Sequence, residues 1–245
     1  MRNQLLFIFV FTKITRHMKS ASILFLICLS FFSFSQINQD QFGSWEMYFY
    51  KAKFKDSPWG IQGDFQLRNW NVASDLEQLL LRSGLTYQPK GEKILFTLGY
   101  ANIQSGTFGE DKSTVNENRF YQEALFPVQF GKRVYTNHRF RYEQRETETA
   151  GFRTRYRYNL FLNIALNKAS MEKGTLYLAL YNEIFVNGEK QLDTGVSVET
   201  FDRNRFYTAL GYKINDKIKV QAGIMNQSTN NWRKNQLQIS LHQSL

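Results

Sequence analysis

The sequence predicts an all-β protein, an antiparallel transmembrane β-barrel of ten or twelve strands with a polar, largely filled lumen. Three observations carry this. First, between Asn118 and Leu166 basic and apolar residues alternate over two long segments. Val134, Thr136, His138, Phe140 and Tyr142 share one face, and Tyr135, Asn137, Arg139, Arg141, Glu143 and Arg145 share the other. Thr154, Tyr156, Tyr158, Leu160, Leu162, Ile164 and Leu166 then oppose Arg153, Arg155, Arg157, Asn159 and Asn163. A period of two means strand, because successive Cβ atoms leave a strand on opposite sides. Second, such strands are longer than the usual 5–6 residues of a soluble sheet, whereas a tilted membrane strand needs about 9–11 in hydrocarbon. Third, no apolar run after the leader is long enough for a helical span, while aromatics make up 16% of the chain and prolines number only 3.

The segments follow in order, each closed by turn residues. They are 44–54, 59–70, 76–87, 93–103, 118–130, 133–145, 152–166, 175–186, 201–214, 217–227 and 232–242. Gly131-Lys132 and Asn215-Asp216 are tight-hairpin signals, Pro89-Lys90-Gly91 is a short turn, and 104–117 and 187–200 are long polar connections. In outer-membrane barrels short turns face the periplasm and long loops the exterior. A chain with both ends in the periplasm needs an even number of strands. The eleven segments therefore predict ten strands, with the first outside the barrel, or twelve, with two segments merged.

The start of the chain reads as a targeting segment. Lys19, the apolar run Ile23–Phe32 and Ser33-Phe34-Ser35 before Gln36 have the layout of a secretory signal peptide. Residues 1–35 are assigned to it, with translation expected to begin at Met18, and 36–245 to one barrel domain in the outer membrane of a Gram-negative bacterium. Cys28, the only cysteine, falls inside the leader, so an exported chain has neither disulfides nor thiolate metal sites. The net charge of +10 includes Arg2, Lys13, Arg16 and Lys19 of the leader. The remaining positive charge points to outer-membrane lipid and lipopolysaccharide phosphates as counter-charges. Nucleic acid is excluded, because aromatics and arginines on opposite faces cannot stack and neutralise the same strand.

Outward faces collect Phe96, Leu98 and Tyr100, Leu176, Leu178 and Leu180, Phe206, Leu210 and Tyr212, and Val220, Ala222 and Ile224. A charge there costs roughly 2–4 kcal/mol at the midplane, which assigns the arginine faces to the lumen. The candidate lumen and anion-binding residues are Arg82, Arg119, Arg139, Arg141, Arg153, Arg155, Arg157, Arg203 and Arg205, with Glu123, Glu143 and Glu183. Two readings stand open. Arg, Glu and Tyr side chains can form a closed network that stiffens the barrel. Alternatively, because Asp64, Glu123, Glu143 and Glu183 are too few to match every arginine, an anionic solute or lipid phosphate completes it.

Further stretches carry a family resemblance: Trp45, Leu80-Leu81-Arg82-Ser83-Gly84-Leu85-Thr86-Tyr87, Glu117-Asn118-Arg119-Phe120-Tyr121-Gln122, His138-Arg139-Phe140-Arg141-Tyr142-Glu143, and Asp202-Arg203-Asn204-Arg205-Phe206-Tyr207. In this order they resemble the uncharacterised outer-membrane family termed domain of unknown function 2490, found largely in Bacteroidetes-type bacteria. The resemblance implies a barrel and no particular activity. The expected role is structural or envelope-maintaining, or narrow passage or binding of an anionic solute or lipid through the arginine-rich lumen, with no cofactor and with the barrel-assembly machinery as a partner during biogenesis. One alternative is a lipid-modifying esterase using His138, for which a serine and an acidic or amide orienter would have to be found. A second is a soluble periplasmic barrel.

Overall fold

The computed structural model of the protein describes residues 42–192 and 195–245. The expected signal segment, Cys28 and the expected start at Met18 lie outside the described residues. Eleven strands follow one another: β1 (Gly43–Lys53), β2 (Trp59–Asn71), β3 (Ser74–Tyr87), β4 (Leu95–Gly106), β5 (Thr114–Phe130), β6 (Val134–Thr147), β7 (Gly151–Ala165), β8 (Leu176–Asn187), β9 (Phe201–Lys213), β10 (Ile218–Ser228) and β11 (Arg233–Ser244). All close into one barrel, each hydrogen-bonded to its neighbours in sequence. Among the described residues no helix is long and apolar enough to cross a membrane.

The strand count corrects the sequence expectation of ten or twelve. All eleven segments are strands, and the first belongs to the barrel. The even-number rule fails because β1 and β11 close the barrel in parallel, from Gly43↔Gln236 to Lys51↔Ser244. Every other seam is antiparallel, so the barrel is mixed. Parallel pairing requires no hairpin between its partners, only that the two strands be brought side by side by the rest of the sheet.

Because consecutive strands reverse direction, the connections sort onto two rims. Turns 72–73, 148–150 and 229–232 share the rim at which β1 begins, together with the longer connections 107–113 and 188–200. We call this the loop rim. Connections 54–58, 88–94, 131–133, 166–175 and 214–217 form the opposite, turn rim. Both loops read from sequence as long therefore leave the same rim. The first is shorter than expected because β5 begins at Thr114. Within it, the Ser113 N–H donates to Asp111 at 2.8 Å and holds that carboxyl below the usual carboxylate range. On the turn rim Gly131, at φ 58°, supplies the left-handed residue after the Phe130↔Val134 pair.

The pleat fixes two environments. Along β9, buried Arg205, Tyr207, Ala209 and Gly211 alternate with exposed Phe206, Thr208, Leu210 and Tyr212. The outside of the barrel is apolar: Phe65, Leu98, Phe120, Phe140, Tyr156, Leu210 and Ile239 are each between 47 and 60% exposed. The inside holds most of the buried charge and a smaller apolar cluster of Trp45, Tyr177, Ala179, Tyr207, Ala209 and Met225.

Two inward glycines make room for tyrosines on the facing strand. Gly99 and Tyr121 are register partners, as are Gly211 and Tyr177. A Cβ at either glycine would lie 2.2 Å from the partner's Cζ. Each ring therefore lies across the opposite backbone, covering the glycine as aromatic residues do elsewhere in sheets. Gly99→Val is expected to destabilise the barrel by about 1–3 kcal/mol, the usual range for overpacking. The readout is the temperature at which the compact band on unheated denaturing gels gives way to the unfolded one.

Candidate functional site: the charged lumen

The lumen toward the loop rim holds interlocked ion pairs from β5 to β9, with one further pair between β2 and β3. Glu143, 1% exposed, is at the centre. Its Oε2 accepts from Arg155 Nη2 at 2.6 Å and its Oε1 from Arg157 Nη1 at 2.5 Å. Arg119 and Arg141 approach it at 3.8 and 3.7 Å. Arg157 reaches on to Glu183, which also receives Arg139 at 2.7 Å. Arg141 and, at 3.7 Å, Arg139 meet Glu123. Glu117 takes Arg119 at 2.7 Å and also Arg145. Arg155 bridges to Asp202 at 2.9 Å, and Asp202 holds Arg203 at 3.0 Å. Arg82 sits 2.8 Å from Asp64. Buried charges are tolerated because the guanidinium forks of Arg119, Arg141, Arg145, Arg155 and Arg157 each meet carboxylate oxygens with two or more hydrogen bonds.

The sequence-selected residues thus converge, with two adjustments. Arg153 has no ion-pair partner among the described residues, and its Nε has no hydrogen-bond partner. More acids are present than period-two reading found. Glu117 extends the alternation of β5 beyond its expected start. Asp202 and Glu77 come from irregularities in the ladder. Register passes from Phe185↔Arg203 to Val186↔Phe201, leaving Asp202 as the extra residue. It passes from Arg68↔Gln78 to Asn69↔Leu76, leaving Glu77 extra. Bulges re-aim side chains, and Glu77 meets the buried Lys234 at 3.0 Å.

A different arrangement surrounds Trp45 of β1. Arg68 binds only amides there, Gln66 and Gln78 at 2.6 Å, with its guanidinium carbon 3.8 Å from the Trp45 ring centre. Arg205 donates to Gln227 at 2.6 Å and faces both Trp45, at 4.8 Å, and Phe185, at 4.7 Å. Among the described residues neither arginine has a carboxylate partner. Aromatic faces take part of the place that carboxylates fill elsewhere. Trp45 stood in the sequence as an early tryptophan of the family resemblance; with Met47 and Phe49 on its own face and Glu46 on the other, the polarity of β1 did not place it inside.

Toward the turn rim the lumen opens into a cavity of about 540 Å³. Its floor is the edge of the ion-pair layer, including Arg139, Arg141 and Arg157, and its mouth carries Lys51, Lys217 and Lys219. Glu117, Arg119, Glu143, Arg145 and Arg155 lie behind that floor, buried and outside the cavity lining.

His138 does not meet a serine. On the outer wall its Nδ1 lies 2.8 Å from the Tyr158 hydroxyl, within an aromatic group that includes Phe140. The Ser–His contact present is Ser240 Oγ to His242 Nε2 at 3.0 Å, on the lumen face of β11, with His242 stacked 4.7 Å from Phe49. Among the described residues neither a carboxylate nor an amide hydrogen-bonds His242, so no orienting partner is in contact with it. Ser83 accepts from the Tyr50 hydroxyl at 2.9 Å and lies three strands away around the barrel from either histidine's strand.

An apolar exterior around an ionic interior defines the class: a closed eleven-stranded β-barrel with a salt-bridged lumen. The chain belongs to the family described as "Protein of unknown function (DUF2490)", whose model matches residues 42–238. No curated protein matches the chain. No solved structure matches it.

Proposed function

We propose that the protein is an integral outer-membrane barrel that serves as a binding barrel closed at its charged layer, not as an open conduit. One observation carries the reading: the polarity of the barrel is inverted relative to a soluble one. Exposed apolar side chains ring the outside, while arginines and glutamates are buried inside. Water would disfavour so large an apolar surface, whereas hydrocarbon favours it. The leader-like N-terminal sequence supports export. On this reading the outer wall contacts outer-membrane lipid and lipopolysaccharide, and insertion passes through the barrel-assembly machinery.

The test is fractionation. The protein should sediment with outer membranes and resist carbonate extraction; recovery in the soluble periplasm would overturn the reading. Reconstituted into planar bilayers, the purified barrel should show no ion conductance, since the groups around Glu143 are ion-paired and buried. Steady single-channel currents would mean that this layer leaves a continuous water path.

A further inference from the structure

We propose that the lumen contains a built site for an organic anion with an aromatic or apolar body, located between Trp45, Tyr207 and Gln238, with Arg205 as the counter-charge. The proposal rests on the reading of the lumen as a chamber open at one end.

Three donors define the site. Trp45 Nε1, the Tyr207 hydroxyl and Gln238 Nε2 are all without a hydrogen-bond partner in the protein. Their residues are 3, 2 and 1% exposed. The indole N–H can only donate, and so can the amide NH2. The Gln238 amide is held in this sense because the Tyr181 hydroxyl donates to its Oε1 at 3.1 Å. These groups adjoin one another. Trp45 and Gln238 are direct partners across the β1–β11 seam, and Tyr207 stacks on Tyr181 at 4.9 Å. All of them line the 540 Å³ cavity.

Charge gives the sign of the ligand. Arg205 and Arg68 flank Trp45 with no carboxylate in ion-pair contact among the described residues; Glu183, opposite Arg205 across the β8–β9 seam, is taken by Arg139 and Arg157, and the arginines around Glu143 are likewise engaged by acids. A carboxylate or phosphate supplies acceptors for these three donors and a counter-charge for Arg205. A cation would be repelled, and a neutral ligand would leave the arginine unmatched. The body of the ligand follows from the wall, where Met47, Phe49, Phe161 and Met171 line the cavity between floor and mouth. Lys51, Lys217 and Lys219 at the mouth would draw anions inward, and the acid beside them, Asp216, is held by Lys213 at 3.0 Å.

The experiment uses the purified full-length barrel in detergent, with phenyl phosphate as the probe. Titration should change tryptophan fluorescence saturably and raise the unfolding temperature. Inorganic phosphate should bind more weakly and phenol should not bind. Arg205→Gln and Tyr207→Phe should each weaken phenyl phosphate by about tenfold or more, as expected for losing a donor to an anion. Both variants should keep the compact mobility of the folded barrel on unheated gels. Lys132→Gln, which removes an exposed turn-rim charge, should bind as the wild type does. A folded barrel that ignores phenyl phosphate overturns the proposal, as do unchanged affinities in both variants. Stabilisation by vesicles of anionic phospholipid without stabilisation by phenyl phosphate would overturn it in favour of a headgroup contact. None of these outcomes bears on membrane insertion, which fractionation decides separately.

Discussion

Glu143→Gln should destabilise the barrel by about 3–5 kcal/mol, the range for removing one member of a buried ion-pair group. The substitution changes almost no volume, so the loss is electrostatic. Both oxygens of Glu143 are engaged, by Arg155 at 2.6 Å and Arg157 at 2.5 Å, with Arg119 and Arg141 within 3.8 Å. An amide would turn an NH2 group toward a guanidinium and leave four cations around a neutral centre. Thermal unfolding in detergent measures the effect. Adding Arg157→Gln to Glu143→Gln should recover part of the loss, since residues in one network do not add independently. A single variant as stable as the wild type would show that the charges around position 143 are screened by water, contrary to a filled lumen.

Leu98→Arg should cost roughly 2–4 kcal/mol of stability in a bilayer if the residue sits near the midplane, whereas Leu98→Phe should be nearly neutral. Leu98 is 60% exposed and faces Leu85, itself 45% exposed, across the β3–β4 seam, between Phe96 and Tyr100 along its own strand. Folding yield into lipid vesicles reads the difference. The sign of the effect separates two locations. For a barrel in water, an arginine at an exposed site is harmless and improves solubility. A Leu98→Arg protein that folds as well as wild type would therefore contradict a membrane assignment with Leu98 near the midplane.

Strand positions and faces were legible in the sequence because the pleat writes them as a period of two. Arg139 to Arg145 and Arg153 to Arg157 lie on the faces that alternation gave, and the outward residues from Phe96 to Ile224 are on the outside. Three kinds of feature were not legible. Closure depends on which distant strands meet, and local periodicity is silent on whether β1 meets β11 in parallel. Bulge residues break the period itself, so Asp202 and Glu77 were missing from the acids expected inside. Partner choice depends on side-chain reach across seams. Sequence could show that arginines outnumber acids, but not that Arg68 and Arg205 would be the ones set against Trp45.

The parallel seam has a consequence for sidedness. With an odd number of strands, the described chain enters β1 at one rim and leaves β11 at the other. If the barrel spans a bilayer, a protease site inserted before Gly43 and another placed after Leu245 must report opposite compartments. In an even-stranded barrel the same two insertions would always be cut together. Whole-cell digestion would then cleave one of them and spare the other, which makes the seam's direction readable in living cells. The same geometry forbids a short peptide from joining the two ends. A circularly permuted barrel would need a linker long enough to traverse the height of the wall, and shorter linkers would hold the last strand out of the sheet.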